Sequence, residues 1–109
     1  MDWHWSAVAM QEQTDLAQLV EMLRQQLPQL VERYQVESLG VFGSYVRYEH
    51  RPDSDLDLLV TFRTPPSLLK FIELENYLSD VLGMRIDLVM KDALKPRIAE
   101  HILSEVVLV

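Results

Sequence analysis

Three aspartates and a glycine–serine turn are the residues of this chain whose types and spacing could do chemistry. Gly43-Ser44 is followed, after ten intervening residues, by Asp55-Leu56-Asp57 at the head of an apolar run. Two residues apart on an extended chain, the Asp55 and Asp57 carboxylates point to one face. Like charges on one face of an otherwise buried strand repel and are costly to desolvate. A divalent cation resolves that conflict, and magnesium commonly takes one or two carboxylates plus substrate phosphates. Asp87, between Ile86 and Leu88, repeats the pattern further on. A glycine at position 43 lets the backbone approach a phosphate closely, and Ser44 adds a hydroxyl and an N–H donor. Arg47, one turn later, could add a planar donor to phosphate. The plain alternative is a strand-edge aspartate pair that ends a loop, with Gly43 as an ordinary turn.

The elements around these residues must carry them to one place. From Asp15 the apolar positions Leu16, Leu19, Val20, Leu23, Leu27, Leu30, Val31 and Tyr34 follow helical spacing. Asp15 and Gln18 resemble a capping pair, and Pro28 predicts two helical pieces or a kink. Residues 38–42 read as a short buried strand ending at Gly43, and residues 56–62 as a second. Pro65-Pro66-Ser67 opens a helix with Leu68, Ile72, Leu78, Val81 and Leu82 facing inward, and Gly83 is placed to end it. Residues 85–90 form a third strand. Pro96 begins a last helix with Ile98, Ile102 and Leu103 on its inner side. The order gives an α/β fold on a short mixed three-stranded sheet flanked by helices. For the aspartates to share a site, strands two and three must run parallel through the intervening helix. Strand one must run antiparallel to strand two.

Composition bounds the function. The chain has 109 residues and suits one domain, read as residues 14–109 after a loose lead-in at 1–13. With 17 acidic against 10 basic residues, the formal charge is −7. That lacks the basic footprint of a protein gripping a nucleic-acid backbone, so no direct nucleic-acid partner is expected. There is no cysteine, which excludes disulfides and thiolate zinc sites and suits a reducing cytoplasm. No apolar stretch approaches a membrane span, and the first residues do not read as a signal peptide.

Phe42-Gly43-Ser44-Tyr45-Val46-Arg47, followed by Arg51-Pro52-Asp53-Ser54-Asp55-Leu56-Asp57-Leu58-Leu59-Val60, resembles the signature of the DNA-polymerase-β-like nucleotidyltransferase superfamily. The Arg85-Ile86-Asp87-Leu88-Val89 strand and the tail from Leu94-Lys95-Pro96 to Ile102-Leu103-Ser104-Glu105 narrow the likeness. They are similar to the minimal (MNT) nucleotidyltransferases, antitoxins of HEPN/MNT toxin–antitoxin pairs, from about Leu16 to Val107. The resemblance implies Mg2+ held by Asp55 and Asp57, with Asp87 as a third carboxylate serving as ligand or base. It implies triphosphate binding at Gly43-Ser44. It also implies transfer of AMP from ATP to a tyrosine of a cognate HEPN ribonuclease toxin, in a hetero-oligomer with that toxin. The family often has a small residue and a glycine flanking the arginine, where this chain has Val46 and Tyr48; bulk there would narrow the mouth of the site. Two other classes stay open at this point: a non-catalytic antitoxin acting by binding, and a small-molecule nucleotidyltransferase.

Other residues invite roles and have simpler readings. His50 reads as a solvated loop histidine rather than a base or ligand, and His101 and His4 read likewise. For Tyr45 and Tyr48, packing or partner contact is favoured over self-modification or base stacking. Trp3 and Trp5 would staple the lead-in to the body. With residues 106–109 they also form terminal apolar surface beyond core needs, suited to a protein partner.

Overall fold

Helix α1 (Leu16–Tyr34) begins where the Asp15 carboxylate accepts the Gln18 N–H at 3.0 Å, satisfying one of the free donors of the first turn. This computed structural model describes residues 15–109; the lead-in with Trp3, His4 and Trp5 lies outside the described residues. The expectation of two pieces around Pro28 is not met, because α1 is one helix with Pro28 inside it. Pro28 faces solvent, while Leu23 and Leu30, on either side, are fully buried. Core contacts on both flanks thus outweigh one lost backbone hydrogen bond.

Strands β1 (Val36–Phe42) and β2 (Leu56–Phe62) pair antiparallel, with Phe42 opposite Asp57. Helix α2 (Leu68–Leu82), capped by Ser67 and closed by Gly83 at φ 68°, returns the chain to β3 (Ile86–Met90). β3 lies parallel to β2, with Asp57 opposite Asp87. Glu75 of α2 accepts the Leu88 N–H at 3.2 Å and so satisfies a donor of this edge strand.

Among the described residues the sheet has four strands in the order β3-β2-β1-β4, not three. After helix α3 (Pro96–Glu105), β4 (Val107–Leu108) pairs antiparallel with Val41 and Gly40. Two residues are too short for an alternating pattern to reveal a strand. The pairing corrects the reading of residues 106–109 as spare apolar surface: Val107 and Val109 pack against the core, and Leu108 remains exposed.

Alternation decides which face receives the carboxylates. Leu56, Leu58 and Val60 of β2 and Ile86 and Leu88 of β3 join the core with Leu19, Leu23, Leu30, Leu74 and Leu78 of the helices. Asp57 and Asp87 are out of phase with them and project from the opposite face. The inward faces of α2 and α3 differ from expectation. Leu68, Ile72, Ile98 and Leu103 are exposed, whereas Leu74, Leu78 and Ile102 are buried. Short amphipathic stretches with extra leucines and isoleucines leave the phase of the buried stripe open. No helix among the described residues is long and apolar enough to cross a membrane.

Candidate active site

At the end of β1 the chain turns through a short 3-10 segment, Gly43–Tyr45. Glycine is needed there for two reasons. Its φ is +80°, and a Cβ at this position would overlap the Asp57 carboxylate. The N–H groups of Val46 and Arg47 close the turn onto the Gly43 carbonyl at 3.1 and 3.2 Å. Ser44 is partly exposed beside it. Tyr45 is buried, as its packing role requires, and burial pushes its phenol pKa up. His50 is no solvated histidine: its ring stacks on Tyr45 at 4.0 Å between centroids, 10° from parallel. Val46 packs against the core. Tyr48 is 75% exposed at φ +58°, a left-handed conformation that glycine adopts more readily than a residue with a Cβ.

Asp57 and Asp87 are register partners on the neighbouring parallel strands β2 and β3, which sets their carboxyls side by side on one face. Burial first, then the Asp87 charge and hydrogen bond and the Asp55 charge, push Asp57 up to about 6, partly offset by Arg47. Asp55 lies just before β2, and its Oδ1 is 3.0 Å from Arg85 Nε. Arg85 Nη2 also donates to the Asp53 carbonyl at 3.0 Å, tying the loop to the start of β3.

Among the described residues no three acidic or histidine side chains are grouped closely enough to hold a metal ion. The pair Asp57–Asp87 is in place, and Asp55 is turned toward Arg85. That ion pair is largely exposed and therefore weakly held. Asp55, two residues before Asp57, and the Asp57–Asp87 pair are all hard carboxylate oxygen donors. The donor set fits magnesium.

Arg47 is already engaged by two carboxylates. Its Nη1 contacts both Glu105 oxygens at 3.1 Å, and its Nε donates to Glu49 at 3.2 Å. Sequence reasoning assigned no role to Glu105 or to Arg85. A signal for Glu105 existed, because an acid in the last turn of a helix opposes the macrodipole unless it has a partner elsewhere.

The raised Asp57 pKa makes a pH prediction. A carboxyl whose folded pKa exceeds its unfolded value of about 3.9 favours folding when protonated and opposes it when charged. Without metal, its contribution should therefore decline as pH rises from about 4 through about 6. Asp57→Asn should gain melting temperature over the parent at pH 8 and lose that advantage at pH 4. Thermal denaturation of both proteins at the two pH values checks this; an equal difference at both would contradict a raised Asp57 pKa.

Comparison with known proteins agrees with this geometry. The model of the nucleotidyltransferase domain family matches residues 23–109. The protein adenylyltransferase MntA of Thermococcus cleftensis is 54% identical over 94 residues, covering 86% of this chain and 95% of that protein. A solved structure of a provisionally named minimal nucleotidyltransferase is 39% identical, with a TM-score of 0.73, over 87% of this chain and 96% of the other. A Shewanella oneidensis complex of an MNT antitoxin with a tri-AMPylated HEPN toxin shares the fold at 18% identity and a TM-score of 0.55, over 84% and 66%. With the glycine turn and the paired aspartates on the same sheet edge, these matches place the chain in the nucleotidyltransferase domain family, among its minimal members.

Proposed function

We propose that this protein transfers AMP from ATP to a tyrosine hydroxyl of a partner HEPN ribonuclease toxin and so silences it. The observation that carries the proposal is the pairing of Asp57 with Asp87 in register, beside a glycine turn whose Cα abuts the Asp57 carboxylate. Asp55, Asp57 and Asp87 would hold Mg2+, which when bound neutralises charge on the attacking and leaving oxygens. Gly43 gives the triphosphate a close approach, and Ser44 offers it a hydroxyl and a backbone N–H. Asp87 takes the phenol proton as the tyrosine oxygen bonds to the α-phosphorus. The bond from that phosphorus to the bridging oxygen breaks, and pyrophosphate leaves. The name of the Thermococcus relative and the modified toxin in the Shewanella complex support this choice of acceptor. A chain of net charge −7 with Ile98, Leu103 and Leu108 exposed also suits a basic protein partner.

The test is thermal. ATP with magnesium, at about a hundredfold excess over Kd, should raise the melting temperature by several degrees. Asp55→Asn/Asp57→Asn should stay folded and lose that shift. An unchanged shift in the double variant would put the nucleotide elsewhere.

A further inference from the structure

The glycine turn is held from behind by a carboxylate far away in sequence. Glu105, the last residue of α3, accepts the Gly43 N–H through Oε1 at 3.0 Å and the Arg47 Nη1 through both oxygens at 3.1 Å. Its side chain is only 15% exposed. Burial pushes its pKa up, but the Gly43 N–H and Arg47 outweigh that and hold it below the usual glutamate value.

The backbone at Glu105 is fixed on both sides. Before it, α3 closes with the Val106 N–H on the Ile102 carbonyl at 2.9 Å. After it, Val107 pairs with Val41 in the sheet. Gly40 makes this approach possible, because a side chain there would collide with Val106. With its backbone anchored there, the Glu105 carboxylate is held against the turn by its contacts with the Gly43 N–H and Arg47. It is part of the wall of the turn.

We infer that Glu105 is a positioning residue of the phosphate turn, and that Arg47 acts through it rather than on phosphate. The inference rests on the reading that Gly43-Ser44 receives the triphosphate. By taking the Gly43 N–H, Glu105 sets the peptide plane that enters the turn and leaves the Ser44 hydroxyl and N–H for the ligand. A bare carboxylate so near a triphosphate would repel it, and Arg47 cancels that charge. With Nη1 on Glu105 and Nε on Glu49, two of the three guanidinium nitrogens are held by protein carboxylates. Glu105 and Arg47 are therefore one device, with the glutamate as the joint between the C-terminal strand and the turn.

The sign of one change decides. If Glu105 merely occupied a phosphate subsite, removing its charge would free Gly43 and Arg47 and tighten ATP binding. As a positioning residue, its loss should weaken binding. ATP titrations in magnesium, followed calorimetrically well below each variant's melting temperature, should give about a tenfold weaker Kd for Glu105→Gln and a larger loss for Glu105→Ala. The Gly43 amide should exchange faster with solvent in Glu105→Ala. Arg47→Ala/Glu105→Ala should bind ATP no more weakly than Glu105→Ala alone, because Arg47 then has nothing left to act through. Unchanged or tighter binding in Glu105→Gln and Glu105→Ala overturns the positioning role. A further loss in the double variant overturns the indirect role of Arg47. If Ser44→Ala and Gly43→Val bind ATP as the parent does, the phosphate-turn reading itself fails, a result distinguishable from both.

Discussion

Gly43→Val is expected to abolish ATP binding and to lower stability by about 3 kcal/mol. Two independent costs add at that position. A β-branched residue is forced to φ +80°, and its Cβ meets the Asp57 carboxylate. Displacing Asp57 to relieve the overlap would also move its carboxyl out of register with Asp87. The site and the fold should therefore suffer together, unlike at Ser44, where alanine removes one hydroxyl and leaves the backbone intact. Thermal denaturation and ATP titration measure the two losses separately. Parent-like ATP binding by a folded Gly43→Val protein would rule out close approach of the triphosphate at this turn.

The second large effect belongs to the carboxylates. Asp55→Asn/Asp57→Asn should slow AMP transfer by about a thousandfold or more. The fold should survive, since asparagine keeps the shape and removes the charge whose burial, and repulsion by its neighbours, raise the Asp57 pKa. Binding to the toxin should also survive, because neither side chain lies on the exposed apolar positions Ile98, Leu103 and Leu108. In cells the double variant should fail to protect against the toxin. Full protection by it would mean that neutralisation works by binding alone.

What the sequence made legible follows from what spacing encodes. The Asp55–Asp57 spacing, the Asp87 strand and the glycine at the end of β1 required β2 and β3 to be parallel and β1 antiparallel, and the sheet has that topology. Local signals also served for the Asp15 cap and the Gly83 stop. Failures came where tertiary contact overrides local preference. Core packing carries α1 through Pro28, and Gly40 admits a two-residue β4 that no pattern of that length could announce. His50 reads as a loop residue until the buried ring of Tyr45 beneath it is known. Spacing alone also left Arg47 free for phosphate, because its partner Glu105 lies 58 residues away in sequence.

The central claim is that this chain modifies a protein, and mass spectrometry tests it most directly. The purified protein is incubated with the proposed HEPN toxin partner, ATP and magnesium, and the toxin is then digested and mapped. The account predicts one or more adenylyl groups on a toxin tyrosine, dependent on ATP, absent with Asp55→Asn/Asp57→Asn, and accompanied by loss of RNA cleavage. An unmodified toxin, under conditions where the protein demonstrably binds both ATP and the toxin, would contradict it.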